Sequence, residues 1–166
     1  AIQTGKGLEG TVEFFPEEGK YHFDGHRKCG VSLSPVEAER LGGICPVCGK
    51  KLTMGVDHRV EQLADREEGF VKKDGKKYES LVPLPEVVAA CMGYSTASKK
   101  VQGCFEQMMQ TLGTEFDILR NVPAEDIKSC AGERIAEGIE NVRTGNVKRI
   151  PGYDGEYGKI QLFDEN

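Results

Sequence analysis

Two pairs of metal-binding side chains are the residues in this sequence best suited to chemistry. His26 and Cys29 form one pair and Cys45 and Cys48 the other, with the members of each pair three positions apart. A glycine follows the second member of each pair and lets the backbone turn there without a Cβ clash. One imidazole and three thiolates make a closed tetrahedral set of the structural zinc type, whereas a catalytic zinc keeps a position open for water. The spacing therefore predicts a structural Zn²⁺ site.

Two features of this site stay open at the level of the sequence. His22 lies four residues before His26 and can replace it as the imidazole ligand, although the His26 pair repeats the spacing of the cysteine pair. A disulfide is the alternative to a metal. It is disfavoured because the chain shows no signal peptide and is expected to be cytoplasmic, where thiols stay reduced. His58 falls in a predicted helix, and we interpret it as a surface or packing residue.

Charge and composition argue against several function classes. The 166 residues carry a net charge of −5; residues 1–78 balance 13 Lys+Arg against 13 Asp+Glu, and residues 79–166 hold 9 against 14. An acidic total argues against a protein that binds nucleic acid over its whole surface, but it allows a local basic patch. No apolar run approaches the roughly 20 residues of a membrane helix. The sequence shows no Walker loop, no G-x-S-x-G and no second histidine cluster, so no catalytic residues are predicted in it.

Short strands and one or two helices must position the metal pairs. Ser34 and Glu37 form a capping box around Pro35, which predicts a helix over 35–41. Two β-prone runs on either side of a Pro-Glu-Glu-Gly segment predict a hairpin before the first metal pair. The ranges predicted in this half are hairpin strands over 11–15 and 20–23, a strand over 50–54, and a helix over 58–67 capped by Asp57.

The second half is predicted to be a compact helical domain, because apolar residues recur there at helical spacing and helices this short are stable only when packed together. The predicted helices cover 85–92, 97–112 (capped by Ser95 or Thr96), 115–120, a segment from Pro123, and 132–143, before a strand over 159–163. The fold class is therefore α+β. A linker with the start of a hairpin (1–20) precedes a zinc-ribbon-like domain with short β-strands (21–80), and a helical domain (81–166) ends in a Gly/Tyr-rich loop and strand.

Cations and aromatic side chains supply candidate DNA contacts. Lys99 and Lys100 fall in the first turn of a predicted helix, where backbone N–H groups and nearby hydroxyls suit a phosphate. Tyr153 and Tyr157 can stack on a base, and packing of their loop against the bundle is the equal alternative. The remaining candidates flank the metal ligands and are Arg27, Lys28, Lys50 and Lys51.

Four runs of the sequence resemble the segment that follows the catalytic domain in the endonuclease Q family. They are residues 21–35 (YHFDGHRKCGVSLSP), 43–53 (GICPVCGKKLT), 58–66 (HRVEQLADR) and 151–158 (PGYDGEYG). The resemblance covers nearly the whole chain, and its first run is highly specific. Members of this family, often described as helicase-related, are DNA-repair proteins. Their N-terminal polymerase-and-histidinol-phosphatase (PHP) domain nicks DNA beside deaminated bases such as uracil and hypoxanthine.

The resemblance implies that this chain is the zinc-binding and helical part of such a protein, without the PHP domain that holds the catalytic metals. It implies two partners, DNA (a damaged duplex or a single strand) and the PHP domain, and a chain that binds DNA without cutting it. Two other functions stay open. One is a structural scaffold for contacts with the nuclease domain or with a helicase or replication partner. The other is an independent zinc enzyme, which would need an open coordination position.

Overall fold

The structure is a computed structural model that describes residues 4–67 and 69–163. Residues 1–3 at the start of the predicted linker, residues 164–166 at the end of the predicted helical domain, and Glu68 lie outside the described ranges. Within the described part, the chain has the mixed α+β composition that the sequence predicts, with seven helices and small sheets. None of these helices is long and apolar enough to cross a membrane.

The first of two compact units comprises residues 1–80 and 149–159. Its elements are β1 (Gly10–Glu13), β2 (Asp24–His26), β3 (Val31–Leu33), α1 (Pro35–Arg40), α2 (Val56–Leu63) and β4 (Lys77–Ser80), with 3₁₀ turns at Pro16–Glu18 and Arg27–Cys29. Strands β1 and β4 pair in parallel, with Thr11 opposite Tyr78. Strands β2 and β3 pair antiparallel, with Gly25 opposite Ser32. The turn that connects β2 and β3 is the first of the two metal-binding turns.

A small apolar core lies beneath the metal-binding turns of this unit. Its buried members are Val31, Ala38, Cys45 and Leu52. Helix α1 contributes Ala38 because a capping box starts it at a fixed point: the Ser34 hydroxyl accepts from the Glu37 N–H, and the Ser34 N–H donates to the Glu37 carboxylate over 2.9 Å. Such a cap stabilises a helix by about 1 kcal/mol, which matters for a helix of only six residues. The predicted helix over 35–41 and its cap are confirmed.

The second unit comprises residues 81–148 and 160–166. Its helices are α3 (Leu84–Met92), α4 (Lys99–Leu112), α5 (Glu115–Arg120), α6 (Ala124–Ala131) and α7 (Glu133–Thr144). Two short strands, β5 (Lys148–Ile150) and β6 (Lys159–Gln161), lie where the chain passes from one unit to the other. The buried side chains from these helices include Leu84, Val87, Val88, Val101, Met108, Ile118, Ile127 and Ile139. The predicted apolar spacing therefore corresponds to a packed helical core.

Two predicted strand arrangements are wrong. The hairpin expected from 11–15 and 20–23 does not form, because β1 pairs with the distant strand β4 and the intervening Pro16–Glu18 segment is a 3₁₀ turn. The strand expected over 50–54 is reduced to isolated bridges, Ile44 with Lys51 and Gly25 with Thr53. Strand β1 pairs with a partner that is remote in sequence, and residues 50–54 form bridges of single residues only. Local β-propensity does not indicate which residues will pair.

Helix boundaries differ from prediction at the caps. Helix α2 begins after Gly55 and ends at Leu63, so Asp57 lies in its first turn and does not cap it. Helix α4 is capped by Ser98, whose hydroxyl accepts from the Lys100 N–H, and not by Ser95 or Thr96. Several serines and threonines compete for one cap in that stretch, and packing decides among them.

Candidate metal centre

Four potential metal ligands meet in the first unit. The ligand atoms of His26, Cys29, Cys45 and Cys48 all lie within 4.8 Å of one another. The His26 Nδ1 atom lies 3.4 Å from the Cys48 Sγ atom. His22, the alternative imidazole, is outside this group and stacks on Phe23 with ring centroids 5.3 Å apart. The structure therefore brings together the four residues that the spacing predicts.

Each pair is shaped by the turn that contains it. The first pair spans the 3₁₀ turn Arg27–Cys29, which ends at Gly30 with φ of 63°. The second turn ends at Gly49 with φ of 70°, and the Gly49 N–H donates to the Cys45 carbonyl over 2.9 Å. Both glycines occupy the left-handed region, where a Cβ is costly. The glycine after each pair is thus required by the backbone, as predicted.

Burial and local hydrogen bonds set the pKa values of two of the thiols. Burial and the neighbouring thiols of Cys48 and Cys45 together raise the pKa of Cys29 to about 11. Burial also raises the pKa of Cys45, but hydrogen bonds from the backbone N–H groups of Cys48 and Val47 and from the side chains of Cys48 and His26 together outweigh it and lower the pKa to about 7. Because thiolates are the ligand form, Cys45 is poised to bind a metal near neutral pH, and binding at Cys29 releases a proton.

The size and chemistry of this cluster fit a tetrahedral metal ion. In a zinc site with metal–sulfur bonds of about 2.3 Å, neighbouring ligand atoms are about 3.8 Å apart. The spacing of up to 4.8 Å is slightly wider, so small side-chain rotations close the set around an ion. Thiolates and imidazole are soft or borderline donors, which suit zinc and similar transition metals better than Mg²⁺ or Ca²⁺. The cluster can therefore hold one metal ion with four protein ligands.

A buried, hydrogen-bonded pair of side chains, Asp24 and His58, links strand β2 to helix α2. The Asp24 carboxylate accepts from the His58 Nδ1–H over 2.5 Å and from the Gly55 N–H over 2.6 Å. Both Asp24 and His58 are buried. His58 is therefore a packing residue that ties helix α2 to the strand ending in the ligand His26. No local pattern indicates Asp24 as the partner of His58, because the two residues are 34 positions apart.

A second carboxylate ties the loop 151–158 to the first metal-binding turn. The Asp154 carboxylate accepts from the Arg27 N–H over 2.7 Å and from the Thr53 hydroxyl over 2.6 Å. These hydrogen bonds, the Thr53 hydroxyl first, lower the pKa of Asp154. Asp154 has φ of 43°, and the Asp-Gly dipeptide that it forms is a turn signal in the sequence. Its role in holding the metal-binding turn was not predicted.

The predicted DNA contacts divide between the two units. Near the metal ligands, Arg27, Lys28, Lys50 and Lys51 are all exposed. In the second unit, Lys99 and Lys100 are exposed in the first turn of α4, where the Lys100 Nζ donates to the Tyr94 hydroxyl over 2.8 Å. Of the predicted contacts, the four in the first unit are therefore the ones that flank the candidate metal ligands.

The two predicted tyrosines have different environments. Tyr153 is half-buried, and its ring packs so close to the Gly25 backbone that a side chain at Gly25 would collide with it. This favours the packing alternative for Tyr153. Tyr157 is 72% exposed. Of the two predicted tyrosines, only Tyr157 therefore has a ring that is open enough to stack on a base.

Comparison with known proteins places these features in a wider context. The family model described as the MJ0043 C-terminal domain matches residues 83–146. The uncharacterized protein MJ0043 of Methanocaldococcus jannaschii is 33% identical over 149 residues, and YqxK of Bacillus subtilis is 29% identical over 147 residues. The crystal structure of the lesion-specific endonuclease PfuEndoQ from Pyrococcus furiosus matches 90% of this chain at 32% identity, with a TM-score of 0.79.

The chain resembles endonuclease Q. A second endonuclease Q structure, a complex with a 27-mer duplex substrate that has an abasic lesion at the active site, matches 96% of this chain at 30% identity and a TM-score of 0.78. The resemblance to endonuclease Q expected from the four sequence runs is confirmed, and it relates the chain to DNA-repair nucleases.

The endonuclease Q chains are much longer than this one. The matched part spans 37% and 41% of the two solved chains. It spans 18% of MJ0043 and 34% of YqxK. The present chain thus corresponds to less than half of any of these proteins.

Proposed function

We propose that this chain is the DNA-binding part of a DNA-repair endonuclease that acts on deaminated bases such as uracil and hypoxanthine. The observation that carries the proposal is the likeness to the lesion-specific endonuclease over 90% of the chain at a TM-score of 0.79. A neighbouring structure that holds a duplex with a lesion supports DNA as the ligand. In this proposal the catalytic residues belong to a separate PHP nuclease domain, and the present chain holds the DNA for it.

We infer that the metal is Zn²⁺ with a structural role. Three thiolates and one imidazole fill a tetrahedral shell and leave no position for a reacting water. The ion would fix the two turns that carry Arg27, Lys28, Lys50 and Lys51, so that these four cations face DNA phosphates. The free cysteines fit a reducing compartment, and we therefore propose a cytoplasmic location.

Binding to damaged and undamaged duplexes across a salt series tests the function. The probe is a labelled duplex with one uracil or one hypoxanthine, and the control is the matched undamaged duplex. We expect tighter binding to the damaged duplex, and a salt slope that corresponds to several phosphate contacts. Equal, weak binding to both duplexes that disappears by physiological salt would contradict the proposal.

Contact with another protein domain is a second candidate function. Helix α2 exposes an apolar stripe of Val56, Val60 and Leu63, which follow one another at helical spacing. Exposed apolar stripes of this kind often mark protein interfaces. If this candidate is correct, Val60→Asp should abolish co-purification of the chain with a separately produced PHP domain. Glutamate in place of Lys50 and Lys51 should then leave that co-purification unchanged.

A further inference from the structure

Next to the candidate metal centre, Lys20, Tyr21, Arg27 and Tyr157 form a surface that we call the tyrosine platform. The Lys20 Nζ atom lies 5.7 Å from the centre of the Tyr21 ring and 5.6 Å from the centre of the Tyr157 ring. Tyr21 is 46% exposed and Tyr157 is 72% exposed. The Lys20 ammonium group therefore lies within cation–π distance of two aromatic rings, both of which are exposed to solvent.

Arg27 extends the platform toward the metal ligands. Its guanidinium lies beside the backbone of Gly155. A Cβ atom added to Gly155 would lie 3.8 Å from the Arg27 Nη1 atom. Asp154, a carboxylate of the same loop, accepts from the backbone N–H of Arg27 and from the Thr53 hydroxyl. Glu156 is the exposed carboxylate next to Tyr157. The platform thus has two cations and two nearby carboxylates, of which only that of Glu156 belongs to an exposed residue.

The backbone holds the platform in place before any ligand arrives. The Gly155 N–H donates to the Lys20 carbonyl over 2.9 Å, and the Gly158 N–H donates to the Glu18 carbonyl over 3.1 Å. Tyr157 lies between these two anchor points. A backbone fixed in this way loses little conformational entropy on binding, which favours affinity.

We propose that the tyrosine platform binds an unpaired nucleotide of DNA, with its base stacked on the ring of Tyr157 and its phosphates contacting Lys20 and Arg27. This inference rests on the proposed function and adds the class of DNA that the first unit prefers. A base presents its face to a side chain only when it leaves the helical stack, so a stacking platform selects single-stranded or locally opened DNA. Cations that contact phosphates, together with a ring that can stack on any base, give binding that tolerates any sequence.

The test compares Tyr157→Ala with Tyr78→Ala. Tyr78 is 73% exposed on strand β4, so it matches Tyr157 in residue type and exposure but lies outside the platform. The probe is a labelled single-stranded 12-mer of thymidine, and binding is measured by fluorescence anisotropy. We expect Tyr157→Ala to weaken binding about ten-fold, and Tyr157→Phe and Tyr78→Ala to leave it within about two-fold. Lys20→Gln should reduce the salt slope by about one phosphate contact.

A fluorescence measurement reports the contact itself. The chain has no tryptophan, so Tyr157→Trp introduces a single indole, and Tyr78→Trp is the matched control. We expect the single strand to quench the emission of the Tyr157→Trp variant and to leave the control emission unchanged. Equal binding by both alanine variants together with equal quenching would overturn the platform while DNA binding stands. Absence of any DNA binding by the unsubstituted chain at low salt would overturn the proposed function and the platform together.

Discussion

The Cys48 thiol and the His26 imidazole are 3.4 Å apart although 22 positions separate them in the chain. Such proximity depends on both turns being formed, and each turn contributes only two ligands. Because the ligands of a structural zinc site are brought together by folding, the binding energy of the metal is also folding energy. The consequences of losing one ligand therefore extend to the whole first unit.

Replacing Cys48 with serine tests this coupling. A serine hydroxyl is a poor ligand, so Cys48→Ser should lose the metal and the melting transition of the first unit. Cys130→Ser is the control, because Cys130 is a half-buried thiol outside the cluster. Metal content and thermal melts measure both effects. Full metal content and an unchanged melt in Cys48→Ser would show that the ligand assignment is wrong.

Arg143 is a residue whose effect lies in the second unit. Its guanidinium donates to three backbone carbonyls, those of Ile118, Leu119 and Val122, over 2.7 to 2.9 Å. Arg143→Met keeps the aliphatic stem but leaves carbonyls without this donor, so stability should fall by about 2 kcal/mol. Urea denaturation followed by helical circular dichroism measures the loss. Lys99→Met, on an exposed lysine, should change stability by less than about 0.5 kcal/mol. Equal effects of the two substitutions would contradict the role given to Arg143.

At this scale, the sequence predicts contacts whose signal is local and misses those whose partner is distant. Each pair of ligands lies within four consecutive residues, which is why the ligand cluster could be predicted. Asp154 and Arg27 are 127 positions apart, and Arg143 reaches carbonyls 21 to 25 positions away. No periodicity or motif indicates those pairs, because the tertiary fold alone brings them together.

At the scale of elements, the loop 151–158 depends on glycines at close backbone contacts. A side-chain carbon at Gly158 would meet the carbonyls of Glu17 and Ile150. Backbone atoms cannot rotate away as side chains can, so the loop must shift to accept a larger residue. The same loop carries Asp154, which fixes the first metal-binding turn.

Alanine substitutions at two glycines should therefore have opposite signs. Gly158→Ala should destabilise the first unit by about 1–3 kcal/mol through overpacking. Gly103→Ala should stabilise the second unit by about 0.5–1 kcal/mol, because Gly103 lies inside α4 and nothing within 4 Å opposes a side chain there. Chemical denaturation of both variants measures the difference. Destabilisation of similar size at both positions would contradict this account of the loop.

Helices were more predictable than strands for a physical reason. A capping box and an apolar period lie within one helix, and both identify α1 and the helices of the second unit. Strand β1 finds its partner β4 more than 60 positions later in the register that pairs Gly10 with Lys77. The hairpin predicted for β1 is wrong because β-propensity indicates that a segment forms a strand but not which strand it pairs with.

At the scale of the whole molecule, the two units differ in what stabilises them. The first unit has a small apolar core next to the metal ligands, whereas the second buries many aliphatic side chains. Metal removal should therefore affect the units unequally. The ligand cluster belongs entirely to the first unit.

Chelation provides the corresponding prediction. Treatment with a strong chelator should unfold the first unit and leave most of the helical circular dichroism signal, because five of the seven described helices lie in the second unit. Heteronuclear NMR spectra before and after chelation assign the loss to residues. Restoring zinc should restore the spectrum. Loss of the second unit's signals in parallel with the first would contradict independent stabilisation.

In the proposed function, the cations around the metal-binding turns hold DNA. The most direct measurement compares two double charge reversals in duplex binding: glutamate for Lys50 and Lys51, and glutamate for Lys72 and Lys73. Both pairs are adjacent, exposed lysines of the first unit, and both substitutions change the net charge equally. We predict that the Lys50 and Lys51 variant loses at least about ten-fold in affinity and about two phosphate contacts from the salt slope, and that the other variant stays within about three-fold of the unsubstituted chain. Equal losses in the two variants would show that only overall charge matters and would contradict the claim.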